Sequence, residues 1–130
     1  MVPSFIISPE SRVVQIVYHD APNFEEWVEM MSSIGLDSNY QPGFSFLVDR
    51  RAAGVPSDTF AKRVADYLRR HGDEIGVRIH YATVVDPEAV EATRAMIEQF
   101  PDPSLMRVFT DPAEARNWAS RAASAEGALV

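Results

Sequence analysis

Aspartates follow four of the strands that the sequence predicts, and carboxylate oxygens are ligands that suit Mg²⁺. The carboxyl ends of parallel strands share one edge of a sheet, so these side chains could meet there. Two of them, Asp86 and Asp111, precede a proline at a helix start, where a carboxylate is expected to cap free backbone N–H groups. We therefore predict caps, no metal site and no cofactor, with a Mg²⁺-dependent enzyme as the least favoured alternative. The four aspartates are Asp20, Asp49, Asp86 and Asp111.

Two adjacent arginines leave a predicted buried strand shortly before the start of a helix. The strand ends at Asp49, Arg50 and Arg51 follow it, and Ser57 begins the next helix. The planar guanidinium fits carboxylate and phosphate groups, and a helix N-terminus attracts anions. We predict that these four residues bind a small anionic ligand or a protein partner. In the alternative interpretation one arginine pairs with Asp49 or a nearby glutamate and the other is solvated.

Ser57 itself has two interpretations. Serine is among the best helix N-cap residues, which predicts a structural role. Phosphorylation of Ser57 would instead place up to about two negative charges at a helix N-terminus, where they can be accommodated. The cap is favoured, and a phosphosite is the alternative.

Catalysis has little support in the sequence. The chain has no cysteine, and its three histidines lack the spacing of metal ligands. It also lacks a Gly-x-Ser-x-Gly elbow, a Walker loop and a dinucleotide-binding glycine motif. A binding module is therefore favoured over an enzyme.

Charge and hydropathy narrow the range of partners. Nineteen acidic residues against twelve basic ones give a net charge of −7, which disfavours binding to nucleic acid. The sequence predicts neither a signal peptide nor a membrane span. We expect a cytoplasmic protein.

The elements that must position these residues alternate in the order ββαβαβαβα. This order predicts one α/β domain, with a five-stranded, mostly parallel sheet, an antiparallel N-terminal hairpin strand and four helices. We place the domain at 1–120 and expect a frayed tail at 121–130. The predicted strands are 5–8, 13–18, 44–49, 77–85 and 105–109.

Large aromatic side chains fall on the inward faces of the predicted helices, which is typical of a core. A pocket between the helices could also present some of them to an apolar ligand. These aromatics are Phe24, Trp27, Phe60, Tyr67, Phe100 and Trp118.

The opening hairpin, the strand FSFLVD at 44–49 and the ending VFTDPAEARNW at 108–118 extend over most of the domain. In these features the chain resembles the STAS-type superfamily of bacterial anti-sigma-factor antagonists and the small STAS/Sec14-like proteins. The resemblance implies a non-catalytic regulatory or binding module. The Sec14-like relation implies, as an alternative, a carrier of a small apolar or lipid-like ligand.

Antagonists of that superfamily are switched by a kinase at a serine in an Asp-Ser-x-Gly loop after the central strand. The corresponding segment here, 49–57, contains Asp, Gly and Ser in a different arrangement, so only Ser57 can be carried over. A homodimer, formed through the edge strand or an apolar helix face, is a further expectation.

Overall fold

The sheet contains its strands in the same spatial order as in the sequence. They are β1 (Ser4–Ser8), β2 (Val13–Val17), β3 (Ser45–Asp49), β4 (Tyr81–Val84) and β5 (Met106–Phe109). β1 pairs with β2 in antiparallel fashion, and β2 to β5 are parallel neighbours. This computed structural model describes residues 2–75, 79–100 and 102–128.

Helices cover both faces of this sheet. They are α1 (Phe24–Leu36), α2 (Asp58–Ile75), α3 (Val90–Ile97) and α4 (Pro112–Ala128). The first three pack on one face, whereas α4 packs over β3 and β4 on the other. Connections between adjacent parallel strands are nearly always right-handed, and connections of the same handedness place the successive helices α1, α2 and α3 on the same face. The described residues thus confirm the predicted α/β fold with a five-stranded mixed sheet and four helices.

Alternate residues of each strand belong to different cores, because successive side chains of a strand point to opposite faces. Val14 and Phe46 belong to the larger core below α1, α2 and α3. Val13 and Leu47 belong to the smaller core below α4. β3 is buried on both faces, which explains why its central residues are apolar without interruption.

Small residues bring α4 close to the sheet. Ala115, Ala119 and Ala123 follow one another at four-residue intervals, and each is 0% exposed. This spacing puts them on one face of the helix. Trp118 lies beside this face and packs against Phe109, with 5.9 Å between the ring centroids.

α2 contains a kink near its C-terminal end. The helix continues through His71 to Ile75, and the backbone of His71 departs from helical geometry, with φ −117° and ψ 16°. His71 is therefore a kink inside α2 and not its last residue. α4 extends from Pro112 to Ala128.

The strand β4 and the helix α3 begin later in the chain than the sequence predicts. β4 begins at Tyr81, where pairing with β3 starts, and predicted strand residues 77 and 78 lie outside the described residues. The turn Pro87–Ala89 is a 3₁₀ helix that precedes α3, and the N–H of Ala89 donates to the carbonyl of Asp86 at 2.9 Å. Short 3₁₀ turns of this kind are frequent at helix N-termini.

The start of α1 provides a test of local stability. The side chain of Asn23 accepts a hydrogen bond from the N–H of Glu26 at 2.8 Å, and the Glu26 carboxylate accepts one from the N–H of Asn23 at 3.0 Å. Asn23→Ala should lower the free energy of unfolding by about 1 kcal/mol, because it removes one half of this capping box. Thermal unfolding should show a midpoint lower by about 4 °C. Asn23→Asp keeps the acceptor and is the control; an equal loss in both variants would contradict the capping role.

Candidate functional site

The carboxyl end of β3 sends its two arginines into different environments. Arg50 is only 5% exposed, whereas Arg51 is an exposed residue. Arg50 follows Asp49 directly, and alternation along the strand turns the Arg50 side chain toward the layer of α1, α2 and α3. The pair of adjacent arginines is therefore not one cationic patch.

Arg51 forms an ion pair with Asp49. Its Nε and Nη2 donate to the two carboxylate oxygens at 3.0 Å and 2.7 Å, and its backbone N–H donates at 3.1 Å. Hydrogen bonding from Arg51 holds the pKa of Asp49 below its usual value, although partial burial opposes this effect. The sequence left open that one arginine pairs with Asp49; that arginine is Arg51.

Arg50 is buried and not solvated, contrary to the alternative expectation for the second arginine. Its Nε donates to the carbonyl of Gly54 at 3.2 Å, and its Cζ lies 4.6 Å from the centroid of the Tyr18 ring. Burial lowers the pKa of Arg50, and its interactions with Tyr18 partly offset this. Arginine nevertheless keeps its charge in proteins. No carboxylate pairs with this guanidinium within residues 2–75, 79–100 and 102–128.

A cavity of about 70 Å³ lies between the sheet and helices α1, α2 and α3. Arg50 and Tyr18 belong to its wall at the carboxyl end of the strands, and most other lining groups are apolar. Four methionines contribute to it, and methionine side chains adapt readily to different shapes. The lining residues are Ile16, Tyr18, Trp27, Met30, Met31, Phe46, Val48, Arg50, Pro56, Phe60, Ala61, Val64, Leu68, Tyr81, Thr83, Met96, Ile97, Phe100 and Met106.

Tyr81, which also lines the cavity, has a hydroxyl group without a hydrogen-bond partner. The Tyr81 hydroxyl is buried and makes no hydrogen bond within the part of the chain that the structure describes. Burial raises the pKa of Tyr81, and neighbouring Tyr18 and Tyr40 add to the rise. A buried hydroxyl without a partner costs about 1–3 kcal/mol. The wall of the cavity therefore includes, besides Arg50, a tyrosine whose hydroxyl is buried without a partner.

Ser57 is exposed and acts as the predicted cap. Its Oγ accepts a hydrogen bond from the N–H of Phe60 at 3.2 Å, at the start of α2. Its neighbour Pro56 lines the cavity, but Ser57 does not.

The predicted carboxylate caps have different outcomes. Asp111 accepts a hydrogen bond from the N–H of Ala113 at 3.0 Å, as predicted. The side chain of Asp86 makes no capping hydrogen bond, so that prediction is wrong. The 3₁₀ turn uses the backbone carbonyl of Asp86 instead, and the carboxylate contributes to raising the pKa of Arg51, after the larger effect of Asp49. No cluster of three residues suited to a metal ion occurs among the described residues.

Three polar residues of the cavity were missed in the sequence: Tyr18, Tyr81 and Thr83. Tyr81 and Thr83 are two residues apart in β4, so their side chains point to the same face of the sheet. A strand buried on both faces seldom needs two hydroxyls on one face, and this pattern was the available signal.

The Asp49–Arg51 pair should give stability a specific dependence on pH. Because the folded-state pKa of Asp49 is lowered, its contribution is present above the unfolded pKa of about 3.9 and is lost as the pH falls through the folded value. Asp49→Asn should therefore lower the free energy of unfolding at pH 7 by about 0.5 kcal/mol, as for other partly exposed pairs, and lower the unfolding midpoint accordingly. At pH 3 the difference from the unsubstituted protein should shrink markedly. A difference that stays constant in thermal unfolding between pH 7 and pH 3 would contradict the ion pair's contribution.

Comparisons with known proteins do not add a relative. No protein-family model, curated protein or solved structure matches the chain. In the described part of the chain, every helix is too short or too polar to span a membrane.

Proposed function

We propose that the protein is a cytoplasmic, non-catalytic STAS-like module that binds a small anionic ligand at Arg50. The observation that carries this proposal is the buried guanidinium on the cavity wall, which no carboxylate neutralises among the described residues. Arginine is almost never fully buried without a partner, since desolvation of the charge costs several kcal/mol. An anion bound beside Arg50 offsets that cost.

The other residues of the predicted site support this function less directly. Asp49 and Arg51 neutralise one another, and Ser57 is engaged in capping α2. Their exposure suits a protein partner, which is the alternative for this surface. The outer edge of β1 carries Ile6, which is 67% exposed, and is the place where a homodimer would form.

A carrier of a small apolar ligand is the second candidate function. The apolar lining of the cavity favours it, because pockets of this kind usually combine many apolar side chains with a few polar groups. The two functions differ in whether the charge of Arg50 is needed for binding.

Ligand capture tests the proposal directly. The full chain, Arg50→Met and the matched control Arg51→Met are each mixed with a protein-free bacterial metabolite extract and re-isolated by gel filtration. After denaturation, released compounds are measured by mass spectrometry in both ion modes. We expect an anionic compound to be retained by the unsubstituted protein and by Arg51→Met, and at least tenfold less of it by Arg50→Met.

The other outcomes are equally informative. Retention of neutral apolar compounds only, unchanged in Arg50→Met, would overturn the anionic function in favour of the carrier. Loss of retention in Arg51→Met but not in Arg50→Met would move the site to the exposed surface. No retained compound at all would contradict the proposed function.

Stability provides an independent test of the role of Arg50. If the residue serves a ligand and not the fold, Arg50→Met should raise the free energy of unfolding by up to about 2 kcal/mol, because it removes an unpaired buried charge and keeps an apolar stem. The lost stacking on Tyr18 and the lost bond to Gly54 limit this gain. Urea unfolding monitored by circular dichroism measures it. A loss of more than about 2 kcal/mol would identify Arg50 as a structural residue.

A further inference from the structure

The charge balance of the cavity wall limits the ligand to a monoanion. Among the described residues that line the cavity, Arg50 alone carries a charge, and the side chains of Tyr18, Tyr81, Thr83 and Trp27 are the ones with a hydroxyl or an indole N–H. A phosphate group carries about 1.5 to 2 negative charges at neutral pH, which leaves excess charge in a buried site. A carboxylate carries one charge and matches the guanidinium fork with two parallel hydrogen bonds.

Beyond Arg50 the wall accepts an apolar body. The side chains there include Ile16, Met30, Phe46 and Met106, which offer neither charge nor strong hydrogen-bonding groups. Apolar walls of this kind favour an apolar occupant. The ligand is therefore amphipathic, with its charged group at the strand ends and its apolar part between the layers.

The size of the cavity limits that apolar part. An apolar cavity of about 150 Å³ accommodates benzene, which has six carbons. The cavity here is about 70 Å³, roughly half as large, and it is partly open to solvent, so the space between the layers takes a chain of about three carbons. A longer chain has to leave this space or displace the methionine side chains of the wall.

We infer that the ligand is a short-chain aliphatic monocarboxylate of about four carbons, whose carboxylate pairs with Arg50 and whose chain occupies the cavity below α1 and α2. This inference rests on the proposed function, and it names the class of anion that Arg50 recognises. It predicts selectivity for both the charge and the length of the ligand.

Sodium butyrate is the probe, titrated by calorimetry into the full chain at pH 7 and constant ionic strength. Acetate, octanoate, inorganic phosphate and the neutral isostere butyramide are titrated in the same way. Each buried methylene is worth about 0.8 kcal/mol, or about fourfold in affinity, so butyrate should bind about 15-fold more tightly than acetate. Butyrate should also bind at least tenfold more tightly than butyramide, phosphate and octanoate. Arg50→Met should weaken butyrate binding at least tenfold, and Arg51→Met should leave it within about twofold.

Several results would overturn the inference. Equal affinity for acetate and butyrate would show that the chain is not recognised, and tighter binding of octanoate would contradict the size limit. Binding of phosphate but not of butyrate, lost in Arg50→Met, would overturn the carboxylate class and leave the proposed anion site intact. Equal binding of butyramide and butyrate would overturn the role of the charge, and ligand capture would then decide on the function itself. If Arg50→Met did not fold, the comparison of butyrate with butyramide in the unsubstituted protein would still test the inference.

Discussion

The burial of β3 on both faces is the constraint on which the rest of the structure depends. Its side chains enter two different cores in alternation. This alternation determines to which face of the sheet the residue after the strand points. Asp49 lies on the face of β3 that α4 covers. The next residue, Arg50, points into the layer of α1, α2 and α3. A cation at this position is therefore buried by the register of the strand, and not by an attraction to a neighbouring carboxylate.

The two layers tolerate such an intrusion differently. On one side, the row of alanines led by Ala115 brings α4 close to β3 and β4 and leaves little room for another group. On the other side, methionines and aromatic rings such as Met30 and Trp27 cover the sheet, and a cavity lies among them. The guanidinium of Arg50 and the cavity therefore occur in the same layer, the one that large and adaptable side chains cover.

The sequence was sufficient for the architecture because its signals are local. Apolar, β-rich runs identified the strands, and Asn23 with a glutamate three residues later, Glu26, is a local signal for the start of a helix such as α1. It was insufficient where the outcome depends on competing contacts. Whether Arg50 or Arg51 pairs with Asp49 depends on how the chain leaves the strand, and Asp86 loses its capping role because a 3₁₀ turn uses the backbone carbonyl. The burial of Tyr81 beside a cavity depends on the packing of three helices, which no short segment encodes.

An unpartnered buried group does not by itself identify a binding site. Ser45 Oγ and His80 Nδ1 are also buried without a hydrogen-bond partner among the described residues, yet neither residue lines the cavity. Groups of this kind cost about 1–3 kcal/mol each, an amount that a domain with a well-packed core can sustain. Arg50 differs in two respects: it has contacts with Gly54 and Tyr18 but its charge meets no carboxylate among the described residues, and it lines a cavity. The combination of a buried charge without a counter-charge and a neighbouring cavity, and not the burial alone, is the ground for proposing an anion site at Arg50.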